Sequence, residues 1–125
     1  MQNVDLSAWE DDGYLLVMMH GELDVADAAE VAAALIALAS RNPVVILDLA
    51  GLRFIDCSGV RAIVCALEHS AGLRLACPRT PVLRVLAMTG MTDTYPPYGS
   101  IGDAVNGRSG AASCRPAQDA VLPPA

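Results

Sequence analysis

Apolar positions along the chain fall into two kinds of run, and their alternation sets the expected fold. Tyr14 to His20 reads Tyr-Leu-Leu-Val-Met-Met-His, the near-continuous apolar run of a strand covered on both faces. Val44 to Leu49 repeats this, β-branched and apolar apart from Asp48. Residues 2–9 read as a first strand that turns at Asp11-Asp12-Gly13, and Leu73 to Ala76 as a short strand after Gly72. Between these runs the spacing becomes helical. Ala26 to Ser40, rich in Ala and Leu, opens beside Asp24, Asp27 and Glu30 and stops before Asn42-Pro43. A second helix spans about Ser58 to Ser70. A third begins at Pro81, carries apolar residues at 82, 85 and 86, and closes at Gly90. Thr94 to Tyr98 is expected as a last edge strand, because Pro96-Pro97 disfavours a central place. Ile101 to Val105 is expected to form one helical turn or more. Buried strands alternating with helices predict an α/β domain with a mixed, mainly parallel sheet. From Asn106 onward the composition turns to Gly, Ser, Ala, Pro and Gln, so residues 107–125 are expected to be a disordered C-terminal tail.

Composition narrows the functional classes. The 125 residues suffice for one core, and with 54% apolar but only 4% aromatic residues that core must be aliphatic. The net charge is −6, and eight acids (Asp5, Glu10, Asp11, Asp12, Glu22, Asp24, Asp27, Glu30) precede the first arginine, Arg41. An acidic front half argues against nucleic acid as a partner, since phosphate-backbone binding rests on clustered Lys and Arg. The chain has no lysine at all, which removes a Gly-Lys-Ser/Thr phosphate loop and Schiff-base chemistry. An acidic start and a longest apolar stretch of only Val31 to Ala39 predict no export signal and no membrane insertion, hence a cytoplasmic protein. Cys57, Cys65, Cys77 and Cys114 show no metal-binding spacing, and only His20 and His69 could join them. No metal and no cofactor is expected.

The helix that begins at Ser58 carries the functional signal. At about 100° per residue, Val60, Ile63, Val64 and Leu67 share the face that packs on the sheet. Ser58, Arg61, Ala62, Cys65 and His69 fall opposite, with Glu68 at the edge, giving a surface of small and polar residues suited to docking. Ser58 itself has two readings. It either caps the helix, worth about 1 kcal/mol, or accepts a phosphate that the free amides and dipole of the helix start stabilise. A phosphate would leave the fold intact and shift the local charge by about −2, next to Asp56, Glu22 and Asp24.

Phe54-Ile55-Asp56-Cys57-Ser58-Gly59, preceded by Val45-Ile46-Leu47-Asp48-Leu49, resembles the phosphorylation segment of anti-sigma-factor antagonists, the small STAS domains. Gly21-Glu22-Leu23-Asp24 is similar to a second signature of that family at the right distance. The resemblance covers roughly residues 4 to 105 and implies a single STAS-like domain over residues 1–106, with a four- to five-stranded sheet and helices packed against it. It also implies partner switching. The unphosphorylated protein would bind an anti-sigma factor that is also a serine kinase, freeing a sigma factor for transcription. The kinase, using ATP and magnesium, would phosphorylate Ser58 and end the interaction, and a separate serine phosphatase would restore it. Together with the helix face, this gives a partner-binding set of Asp24, Asp56, Cys57, Ser58, Gly59, Arg61, Ala62 and Cys65. Cys57 departs from the family, which often has serine or threonine there.

Three other readings are weighed against this one. A serine hydrolase needs a base within reach, but His69 lies about three turns along the same helix, and Gly-x-Ser-x-Gly is absent. The protein is therefore expected not to be an enzyme. A redox-responsive binding module is suggested by Cys57 beside Ser58. Cys65 stands ~10 Å further along the helix, too far for a direct bridge, so Cys77 or Cys114 would be needed. A STAS-type regulatory subunit of a transporter or lipid-trafficking complex is the third.

Overall fold

The computed structural model describes residues 3–11 and 13–107. The elements follow in the order β1 (Val4–Asp11), β2 (Tyr14–Leu23), α1 (Ala28–Arg41), β3 (Val45–Ile55), α2 (Cys57–Glu68), β4 (Leu73–Ala76), α3 (Thr80–Met88), α4 (Met91–Thr94) and α5 (Ile101–Asn106). The four strands lie in chain order, β1-β2-β3-β4. β1 and β2 pair antiparallel, and β2–β3 and β3–β4 pair parallel, so the sheet is mixed and mainly parallel as the apolar runs require. The tail expected over 107–125 lies outside the described residues, apart from Gly107, which closes α5.

Two elements differ from the sequence reading. The second buried strand does not end at Leu49 but runs on to Ile55, pairing Leu52 with Gly21, Phe54 with Glu22 and Ile55 with Leu23. Register shifts between Met18 and His20 and between Gly21 and Glu22 break the alternation, which hides this half of the strand from a period-two pattern. The expected edge strand from Thr94 to Tyr98 does not form. Met91–Thr94 closes a helical turn, and only Tyr98 bridges β4, at Ala76. The cause is the one that made the segment suspect: Pro96 and Pro97 have no N–H to donate. Pairing is left to Tyr98, whose N–H donates to the Leu75 carbonyl at 2.8 Å and whose carbonyl accepts from Cys77 N–H at 2.9 Å.

The core is divided by the sheet. Its larger part joins Leu15, Val17, Met19, Val45, Leu47 and Leu49 to residues of α1, α2 and α3, among them Leu35, Ile63 and Leu86. The smaller part, on the other face, sets Leu16, Ile46 and Ala76 against Ile101 and Ala104 of α5. Arg74 fastens α5 there, its guanidinium donating to the carbonyls of Ala104 at 2.6 Å and Val105 at 3.2 Å. Such donors satisfy carbonyls that a helix C-terminus leaves free.

Asp48 sits two residues after Ile46, on the smaller-core side of β3. It is buried, and its carboxylate accepts one hydrogen bond, from Ala50 N–H at 2.9 Å. Burial pushes its pKa above the ordinary value of 3.8, against the opposing pull of the Ala50 N–H and His20. A carboxyl with a raised folded pKa costs stability while ionised, and that cost disappears as pH falls through the raised value. Asp48→Asn keeps the acceptor for Ala50. It should melt at a higher temperature than wild type at pH 7, with the gap narrowing toward pH 4; a gap independent of pH would contradict the assignment.

Candidate functional site

Both sequence signatures lie where β2 and β3 end. In the first, Gly21 has φ +104°, a conformation side chains rarely adopt, and a Cβ there would overlap the Asn3 carbonyl. That carbonyl accepts Glu22 N–H at 2.9 Å. Asp24 then starts the turn into α1: its carboxylate accepts from Ala26 N–H at 3.0 Å, and its carbonyl accepts from the amides of Asp27 and Ala28. The Asp27 side chain, expected in the first turns of this helix, makes no cap bond but reaches across to accept Asn3 N–H at 3.1 Å. The signature is thus a joint between β1, β2 and α1.

The second signature forms the start of α2. Asp56, with extended backbone (φ −111°, ψ −173°), is the N-cap, and its carboxylate accepts Gly59 N–H at 2.9 Å. This corrects the reading of Ser58 as a cap: the helix begins at Cys57, so Ser58 already lies within the first turn. Among the described residues the Ser58 hydroxyl makes no hydrogen bond, and the residue is half-buried. Asp56 N–H donates to the Leu23 carbonyl at 3.3 Å, which places the Asp24 turn beside the cap. Gly59 is buried, and a Cβ on it would stand 2.7 Å from both the Leu23 carbonyl and Ile55 Cγ1.

The exposed face of α2 is narrower than the helical wheel implies. Val60, Ile63 and Leu67 point inward as expected, but so do Gly59, Ala62 and Ala66. Gly59 and Ala62, both assigned to the docking surface from sequence, are therefore packing residues, with Ala62 only 6% exposed. The wheel assumed one covered side, whereas α2 also lies against α1, and the small residues 59, 62 and 66 share the flank turned away from α3 and α4. What faces solvent is Cys57, Arg61 and Glu68, with Ser58, Val64 and Cys65 half-buried. The other flank forms an open groove of about 650 Å³ lined by Cys57, Arg61, Val64 and Cys65 of α2 and by Gly90 and Tyr95 opposite. His69 turns back on the helix, its Nδ1 2.8 Å from the Cys65 carbonyl.

Two surface residues were missed from sequence. Val25 is 74% exposed and Phe54 49%; Val25 follows Asp24 directly, and Phe54 stands two residues before Asp56. The available signals were an apolar residue inside a polar turn and the only phenylalanine of the chain. Among the described residues no three of His, Cys, Asp and Glu are grouped to hold a metal ion, and no helix is long and apolar enough to cross a membrane. Cys57 and Cys65 are free thiols, Cys77 Sγ donates to the Gly99 carbonyl at 3.5 Å, and Cys114 lies outside the described residues.

The local geometry makes two mutational predictions. Asp56→Ala should lower stability by about 1 kcal/mol, and Ser58→Ala by under about 0.5 kcal/mol, in urea unfolding; the reverse order would return the cap to Ser58. Gly59→Ala should cost about 1–3 kcal/mol, the price of forcing a methyl into a packed contact, and a neutral result would mean that α2 has room to move from the strand ends.

Residues 5–104 match the STAS domain. No curated protein matches the sequence significantly. Among solved structures the chain is similar to an anti-sigma factor antagonist from Mycobacterium paratuberculosis, with a TM-score of 0.75 and 22% identity, covering 83% of this chain and 92% of that one. It is similar to the Bacillus anti-sigma factor antagonist SpoIIAA in its unphosphorylated form, with a TM-score of 0.65 and 19% identity, covering 85% of this chain and 100% of that one. The murine anion transporter Slc26a9 also contains a similar fold, with a TM-score of 0.57 and 19% identity, covering 70% of this chain and 16% of that one.

Proposed function

The chain belongs to the STAS domain family, and on that premise we propose that it is an anti-sigma-factor antagonist that works by partner switching in the cytoplasm. Its unphosphorylated form binds an anti-sigma factor that is also a serine kinase, and so releases a sigma factor. Phosphorylation at Ser58 ends that binding, and a serine phosphatase restores it. The observation that carries this reading is the division of roles at the start of α2. Asp56 supplies the cap, which leaves the Ser58 hydroxyl without a structural bond among the described residues and positioned at the surface. A phosphate there adds about −1.5 to −2 charge beside Asp56 and the Asp24 turn, without taking a hydrogen bond from the fold.

The domain has no catalysis of its own in this reading. A nucleophilic serine needs a base in hydrogen-bond reach, and neither His20 nor His69 bonds Ser58. The docking surface is Asp24, Val25, Phe54, Asp56, Cys57, Ser58, Arg61 and Cys65, where acids and a cation surround exposed apolar groups. An antagonist is favoured over a transporter-type regulatory domain because the fold follows the two antagonists more closely, with TM-scores of 0.75 and 0.65 against 0.57 for the transporter.

The test is incubation with candidate anti-sigma kinases, ATP and magnesium. Wild type should gain one phosphate by mass spectrometry and Ser58→Ala none, while Ser58→Asp should bind the kinase at least about tenfold more weakly, the cost of one misplaced charge at an interface. Phosphate on Ser58→Ala, or full affinity in Ser58→Asp, would overturn the switch.

A further inference from the structure

We propose that Arg61 holds the phosphate once Ser58 carries one, so that modification adds an anion and at the same time withdraws a cation from the docking face. This rests on the reading of Ser58 as the acceptor. Ser58 and Arg61 stand three positions apart in α2, a spacing that brings side chains to about 5–6 Å at Cβ. Helical side chains lean toward the N-terminus and cover the turn before their own Cα. From position 61 that turn contains Cys57 and Ser58; Arg61 lines the groove with Cys57, the residue next to Ser58.

Arg61 is also uncommitted. It is exposed, and among the described residues it makes neither an ion pair nor a hydrogen bond. It is the only cation in the first two turns of α2, while the adjoining joint supplies Glu22, Asp24 and Asp27, and Asp56 caps the helix. A guanidinium matches phosphate oxygens with two parallel N–H donors, so Arg61 is the side chain of this helix start that complements a phosphate on Ser58. Unmodified, the face offers a partner the Arg61 charge; modified, it offers a neutralised pair beside uncompensated carboxylates.

The experiment builds phosphoserine at position 58 by genetic encoding, which needs no kinase, and follows its second ionisation by phosphorus NMR in the intact protein. An adjacent cation favours the dianion. The wild-type midpoint should therefore lie lower than that of Arg61→Gln by about half a pH unit or more. Arg53→Gln, which removes an exposed cation from β3, should titrate like wild type. Equal midpoints in wild type and Arg61→Gln would overturn the proposal, as would an equal displacement in Arg53→Gln, since that would mark a general field and no specific contact. Kinases that never modify Ser58 would sink the antagonist reading, while this titration reads the Arg61 contact regardless.

Discussion

Leu23 and Ile55 end β2 and β3 side by side, and the backbone of Gly59 lies directly against both. A helix can come this near a strand end only where it presents no side chain. The same approach lets the Leu23 carbonyl take the Asp56 amide, which sets Asp56 extended and ready to cap. From that one contact follow the direction of α2, the surface position of Ser58 and the meeting of two signatures that are more than thirty residues apart in sequence. Had the junction been wider, Ser58 and the Asp24 turn would belong to separate surfaces.

The resulting surface combines three kinds of group with different tasks. Val25 and Phe54 are its exposed apolar groups. Asp24 and Asp56 are tied by hydrogen bonds to the backbone, so their charges are fixed in place. Ser58 and Arg61 carry no such bond among the described residues, so either side chain can move without unpicking the fold.

Much of this was legible in the sequence, for reasons that can be named. The mixed, mainly parallel sheet followed from apolar runs alternating with helical spacing, and Gly21 and Gly59 were visible as parts of signatures. The cap was misread because two residues two positions apart, Asp56 and Ser58, can both fill an N-cap position, and only the backbone angles tell which one does. Ala62 was placed outside because a helical wheel knows one buried side, while the helix has neighbours on two. The second half of β3 was hidden by bulges; Val25 was passed over because a single apolar residue in a turn looks like noise until its exposure is known, and Phe54 because an apolar residue at a strand end reads as core.

The sheet's spatial order repeats the order of the chain. During synthesis each new strand therefore finds its neighbour already made, and no strand must be inserted between two others. Such local connectivity shortens the search for native pairing. It also means that β2, apolar on both faces, waits with one open edge until β3 leaves the ribosome. The turn that carries Ser58 follows β3 directly in the chain, so it takes shape only once the strand that closes that edge has been made.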